Sequence, residues 1–244
     1  MKLDVYPTDA DAFDAAAALL AEAIRATGGP VAVAVSGGRD GRGVLAAVAG
    51  RADLPWARID WYLADERCVP PDDPRSNLRL LRQTLLEPRG IAAARVHPPD
   101  PTLGDATRVA AAYADVLRRL GRPLDVVLLG MGPDGHVASL APGCRALAAT
   151  APYAPVAAAE LGSEPRVDRV TATPPLLRAA RRVILTATGG AKAAAVAAAL
   201  NGADDPARVP ARLVRPSDRV AWVVDEEAAA DLLRNAHPAD PPGG

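Results

Sequence analysis

The stretch Val31-Ala32-Val33-Ala34-Val35-Ser36-Gly37-Gly38 decides the fold class. Five apolar residues without polar alternation suit a strand covered on both faces, as in a parallel sheet. A glycine-rich turn, 36–43, follows, and a helical run is expected from Val44 to Gly50. Upstream, Phe13, Ala16, Leu20, Ala23 and Ile24 sit near helical spacing and predict a helix over Asp9 to Thr27. Gly28-Gly29-Pro30 stops it.

The alternation repeats along the chain. Further strands are expected at 58–64, 124–129, 181–188 and 220–224. Helices are expected at 76–86, 105–120, 191–200 and 226–233. This order predicts an α/β fold in a single domain over residues 1–236: a mostly parallel, Rossmann-like sheet with helices on both faces and right-handed connections. Residues 237–244 are rich in Pro and Gly and are expected to form a flexible C-terminal tail. Ligands of such folds bind outside the carboxyl ends of the strands. Four polar or glycine-rich segments follow predicted strands, at 36–43, 65–67, 130–136 and 189–192, so one crevice should collect them.

Composition narrows the function. Hydrophobic residues make up 50% of the 244, enough for a sizeable core, but aromatics only 3%, so Ala, Val and Leu must fill it. With 28 basic and 29 acidic residues the formal net charge is -1, which argues against nucleic acid as a partner. No apolar run reaches the ~20 residues that span a bilayer, and Met1 to Pro7 lacks the apolar stretch of a signal peptide. Two cysteines, Cys68 and Cys144, form no disulfide framework and fit reduced thiols in a cytoplasmic protein. The expected state is a monomer or small homo-oligomer.

The chemistry should sit on the predicted loops. A strand, glycines and then a helix present backbone N–H groups to a phosphate, which makes Ser36, Gly37 and Gly38 candidate phosphate-binding residues. Gly41-Arg42-Gly43-Val44-Leu45-Ala46 also matches a dinucleotide fingerprint, with Asp60 as its ribose acid, but it starts several residues past the strand end. Asp65-Glu66-Arg67 can orient a polyol and hold an anion. Gly130-Met131-Gly132-Pro133-Asp134-Gly135-His136 is the most informative segment. Asp134 and His136 are two apart, and a His beside a carboxylate is a candidate general base near neutral pH. Among the other histidines, His97 and His237 read as surface residues. No second His or Cys stands at ligand spacing, so neither a metal nor a cofactor is expected. No nucleophile elbow surrounds a serine, and Ser139 reads as a structural or cap residue. Lys192, opening a helix after Gly189-Gly190, suits a phosphate, and Arg169 is a further candidate cation.

Together these segments resemble the 6-phosphogluconolactonase family, in the wider group that includes glucosamine-6-phosphate deaminase. The resemblance rests on Val35-Ser-Gly-Gly38, Asp65-Glu-Arg-Cys-Val-Pro70 with Ser76-Asn77, and the run from Leu128 to Gly143. Arg169-Val-Thr-Ala-Thr173, Gly189-Gly-Ala-Lys192, Leu213-Val214 and Trp222-Val-Val-Asp225 extend it over nearly the whole chain. It implies a carboxylic ester hydrolase acting on 6-phospho-D-glucono-1,5-lactone in the oxidative pentose phosphate pathway. It further implies His136 as the catalytic histidine with Asp134 as its neighbouring acid. By the same resemblance Gly37, Gly38 and Lys192 contact phosphate, and Asp65 and Arg67 line the site. The deaminase branch carries a catalytic Glu five residues past the histidine and a Tyr after the Asp-Glu pair; this chain has Ala141 and Arg67 there. A deaminase-like isomerase, a nicotinamide-dependent oxidoreductase and a non-catalytic sugar-phosphate-binding module are the rival readings. One departure stands out. The family commonly continues Ser-Gly-Gly with Ser-Thr-Pro or Arg-Thr-Pro, and this chain has Arg39-Asp40-Gly41. Asp40 is expected to repel a phosphate unless Arg39 or Arg42 offsets it.

Overall fold

The structure, a computed structural model, describes residues 2–162 and 164–236. The predicted tail at 237–244 lies outside the described residues. Seven parallel strands form the central sheet: β1 (Lys2–Tyr6), β2 (Val31–Val35), β3 (Ile59–Leu63), β5 (Val96–His97), β6 (Val126–Gly130), β9 (Arg182–Ala187) and β10 (Val220–Asp225). Their order is β1-β10-β9-β6-β2-β3-β5. A second, antiparallel sheet has the order β4-β8-β7, from β4 (Asp65–Arg67), β7 (Tyr153–Val156) and β8 (Arg169–Ala172).

Strand β2 shows why the sheet is sandwiched. All five of its residues are buried. Val31, Val33 and Val35 face one core with helices α1 (Asp9–Ala26), α2 (Gly38–Ala49) and α3 (Asn77–Leu81). Ala32 and Ala34 face the other core, with α4 (Ala106–Arg119), α5 (Pro174–Ala179), α6 (Ala193–Asn201) and α7 (Glu226–Ala236). Period-two alternation between Val and Ala therefore feeds two separate cores. Trp61 fills the first and Trp222 the second, each fully buried. Among the described residues no helix is long and apolar enough to cross a membrane.

From β2 the chain steps outward through β3 to β5, then returns to place β6 on the other side of β2. Strand order thus reverses between β2 and β6, and a crevice opens there at the carboxyl ends. The small sheet closes one side of it. Ala64 N–H donates to Val35 O at 2.8 Å, and Ala172 N–H donates to Ala64 O at 2.7 Å, so β4 begins and β8 ends where β2 and β3 end.

Several expectations need correction. The small sheet and edge strand β1 were not expected; their strands are short, and pairing to distant segments creates them. Helix α2 begins at Gly38, six residues before the expected Val44. Gly41 and Gly43 are therefore packing residues inside a helix, and the dinucleotide fingerprint is not a turn at all. A Cβ on Gly41 would lie 2.3 Å from Ser36 O, and one on Gly43 would lie 2.4 Å from the Phe13 ring. Asp60 is occupied by Arg95 and His97, both at 3.2 Å. His97, expected on the surface, is half-buried on β5 and stacks on Tyr62.

Because the clash at Gly41 is with backbone, it has no flexible side chain to absorb it. Gly41→Ala is expected to cost about 1–3 kcal/mol. At roughly 2–4 °C per kcal/mol for a chain of this size, calorimetry should show a clear drop in Tm.

Candidate active site

The crevice is lined by the turn Ser36–Asp40, by Asp65, Arg67, Asn77 and Arg169, by Gly130, Met131, His136 and Ala138, and by Lys192. Its cavity volume is about 110 Å³. Of the residues singled out from sequence, Ser36, Gly37, Gly38, Asp65, Arg67, His136, Arg169 and Lys192 all reach it. Asp134 does not line it and sits against His136. Glu66, read with its neighbours as polyol-orienting, does not reach it either. Its carboxylate accepts from the backbone N–H groups of Arg67, Asn77 and Leu78, each at 2.7 Å, and from Ser76 Oγ at 3.0 Å. It caps the entry to α3. Burial raises its carboxyl above the usual range, against the lowering effect of those N–H groups.

The segment after β6 is folded in, not floppy. Val137 and Leu140 are fully buried in the core beneath it, and Val137 bridges to both Met131 and Leu140. Between these anchors the chain makes a tight turn, with Gly135 N–H donating to Gly132 O and Gly132 N–H to His136 O, both at 3.0 Å. The His136 ring lies against Gly132, where a Cβ would come within 2.1 Å of Nδ1 and Cε1. Asp134 Oδ1 accepts from His136 N–H at 3.1 Å and sits 2.6 Å from Nδ1. An ionised carboxylate can only accept, so it fixes the proton on Nδ1 and leaves the Nε2 lone pair free. Burial pushes the Asp134 carboxyl up, but the hydrogen bond and charge of His136 outweigh it and hold it below its ordinary range. Ala138, two residues on, has φ 51°, and it is the one non-glycine residue in the left-handed region among those described. Such strain concentrates at functional sites.

Ser139 joins this segment to the small sheet. Its Oγ donates to Asp65 Oδ2 at 2.8 Å, and its N–H donates to Thr171 Oγ1 at 3.0 Å. The structural role read for Ser139 is thus the observed one. In the small sheet Arg67 stands directly opposite Arg169. Like charges facing across strands repel. Arg169 is buried, and burial pushes its guanidinium below the usual range, with Asp65 opposing and Arg67 adding to the shift. An anion in the crevice would relieve this.

Asn77 reads from sequence as part of the Ser76-Asn77 pair that carries the resemblance and as a helix start, but not as a site residue. Its Oδ1 accepts from Arg67 Nη1 at 2.6 Å, and its Nδ2 donates to Asp65 O at 2.8 Å. It packs so tightly on the turn after β2 that a Cβ on Gly37 would fall 2.0 Å from its Oδ1. The expectation for Asp40 is also corrected. Neither Arg39 nor Arg42 offsets it. Arg39 pairs with Asp9 at 2.5 Å, and Arg42 is exposed. Asp40 is buried, pairs with Lys192 Nζ and accepts from Thr188 Oγ1 at 2.9 Å.

Other chemistries find little support. Burial, then nearby carboxylates, push the Cys68 thiol up to about 11, so it is a poor nucleophile. Ala141, where a deaminase would carry its Glu, is buried in the core.

A family model described as glucosamine-6-phosphate isomerases/6-phosphogluconolactonase matches residues 7–222. The chain belongs to this family. Within the isomerase/lactonase family, the 6-phosphogluconolactonase of Streptomyces coelicolor is 38% identical, over 92% of this chain and 91% of that one. That of Mycobacterium tuberculosis is 35% identical, over 84% and 86%. The solved 6-phosphogluconolactonase of Trypanosoma brucei superposes with a TM-score of 0.84 at 30% identity, over 95% of this chain and 98% of its own. A monomeric glucosamine-6-phosphate deaminase gives a TM-score of 0.83 at 21% identity, a likeness of fold alone.

The Asp134–His136 pair makes a pH prediction. A carboxyl held low in the folded chain adds stability that is present above its unfolded value, about pH 4, and is lost as pH falls through the folded value. The stability difference between the wild type and Asp134→Asn should therefore narrow as pH is lowered from about 6 towards 3. Urea unfolding across that range measures it, and a constant difference would contradict the assignment.

Proposed function

We propose that this protein hydrolyses 6-phospho-D-glucono-1,5-lactone to 6-phosphogluconate in the oxidative pentose phosphate pathway, with His136 as general base. The observation that carries the reading is the fixed imidazole: Asp134 holds Nδ1, and His136 lines a crevice shared with the Gly37-Gly38 turn, Arg67, Arg169 and Lys192. The relatives named 6-phosphogluconolactonase support the choice of substrate.

The phosphate rests on the Gly37-Gly38 turn, at the uncapped N-terminus of α2, and on Lys192. Arg67 and Arg169 add positive charge and Asp65 lines the sugar. His136 Nε2 takes a proton from water as the water oxygen attacks lactone C1. The developing oxyanion is stabilised by backbone N–H groups or an arginine. The bond from C1 to the ring oxygen then breaks, and the imidazolium returns its proton to that oxygen. Asp134 steadies the charged ring throughout. A δ-lactone already hydrolyses slowly unaided, so positioning and one base suffice. Each step uses this chain's own side chains, and we assign no metal to the reaction. The two free thiols fit a cytoplasmic setting, and we place the enzyme there as a monomer or small homo-oligomer.

Lactone hydrolysis above the spontaneous rate, unchanged by a chelator, is the expected result. His136→Ala should lower kcat by about 10²–10⁴-fold. Near-full turnover by that variant would overturn the mechanism, and ammonia release from glucosamine 6-phosphate would favour the deaminase reading. Gly132→Ala, which displaces the ring without removing any polar group, should lower kcat at least about tenfold. Circular dichroism should show its fold retained.

A further inference from the structure

The lysine on which the proposed phosphate site relies is not free. Lys192 carries a flexible four-carbon stem, yet only 15% of its side chain is exposed. What holds it in place is the carboxylate of Asp40, itself 2% exposed, on the first turn of α2. Oδ2 of Asp40 takes Lys192 Nζ, and Oδ1 takes the Thr188 hydroxyl at 2.9 Å. The two oxygens therefore bind two points on the β9–α6 connection, 148 and 152 residues away in sequence. Asp40 also lies near Gly130 on the floor of the crevice. A Cβ on Gly130, at the end of β6, would lie 3.8 Å from its Oδ2.

An acid beside a phosphate site is at first sight a liability, because like charges repel. Three features reduce that cost. The carboxylate sits at a helix N-terminus, where negative charge is favoured. Both its oxygens already have donors. And an ammonium has three N–H groups, so one bond to Asp40 leaves two for a ligand.

We propose that Asp40 is a positioning residue for phosphate recognition. It pre-orders Lys192 across the mouth of the α2 turn, so that the ordering of this side chain is complete before substrate arrives. Its effect is on binding of the phosphorylated end, not on the reaction at C1. This rests on the function proposed above.

Three variants test it with two substrates, the phosphorylated lactone and the same lactone without its phosphate. Asp40→Ala should raise KM for the phosphorylated lactone roughly three- to tenfold, with kcat nearly unchanged. It should leave kcat/KM for the unphosphorylated lactone within about twofold, because nothing there needs Lys192. Asp40→Asn keeps an oxygen acceptor for the ammonium and should restore most of the lost affinity. An unchanged or lower KM in Asp40→Ala overturns the proposal, as does an equal loss on both substrates, which marks a merely structural role. Should Asp40→Ala fail to fold, Asp40→Asn and Thr188→Val decide. The proposal then requires a KM rise in Thr188→Val confined to the phosphorylated lactone, and none in Asp40→Asn. Lys192→Ala separates the two levels of inference. If it leaves KM for the phosphorylated lactone unchanged, the phosphate assignment itself is wrong. If it raises KM while Asp40→Ala does not, only the role of Asp40 is wrong.

Discussion

The crevice depends on one buried hydrogen bond, from Ser139 Oγ to Asp65 Oδ2 at 2.8 Å. It ties the loop after β6, which carries His136, to the small sheet that carries Arg67 and Arg169. Both partners are buried. A buried carboxylate without a donor is costly, so the bond has to form once the two segments pack. Thr171 completes the joint by accepting from the Ser139 backbone, and Arg169 Nη1 reaches Ser139 Oγ at 3.4 Å. Removing Ser139 would strip the Asp65 carboxylate of this hydrogen bond and detach the wall that carries His136 from the wall that carries Arg67 and Arg169.

Around that joint, absent side chains shape the site as much as present ones. Gly37 lets Asn77 come against the turn after β2, Gly41 lets α2 start directly from that turn, and Gly132 gives the His136 ring its seat. In each case a single methyl would meet an atom that cannot move without opening the crevice. Packing at this density turns a small volume change into a displacement of functional groups.

The run at 31–35 was readable because both faces of β2 are buried, which leaves no polar residue to break the pattern. The order of strands and helices then brought the segments at 36–43, 130–136 and 189–192 to one end of the sheet. The start of α2 was not readable. Gly38-Arg39-Asp40-Gly41-Arg42-Gly43 is poor in helix formers, and packing against the sheet, not propensity, makes it helical. The small sheet was hidden for a related reason. Its strands have three or four residues, and β4 pairs with β8 roughly a hundred positions on, so no local pattern announces it. His136 and Asp134 stood out because they are two residues apart. Lys192 and Asp40 also stood out, but their link to one another and to Thr188 did not, because it exists only after α2 and the β9–α6 connection meet.

These partnerships share a logic. Each cation in the crevice is held by an acceptor that leaves some of its N–H groups unused. Arg67 spends one nitrogen, Nη1, on both Asn77 and the Arg75 carbonyl. Arg169 anchors Nη2 to the Pro165 carbonyl. Lys192 spends one donor on Asp40, and His136 commits Nδ1 to Asp134 and keeps Nε2 free. A donor fixed in this way does not have to be reoriented when charge develops nearby, which is where electrostatic stabilisation of a transition state gains over water. The chain as a whole is nearly neutral, so the crevice owes its character to this local arrangement of charge and not to a global field. A neutral sugar would gain little from it. A ligand with an anionic group at one end and a hydrolysable carbonyl at the other would engage the fixed cations and the fixed His136 ring together.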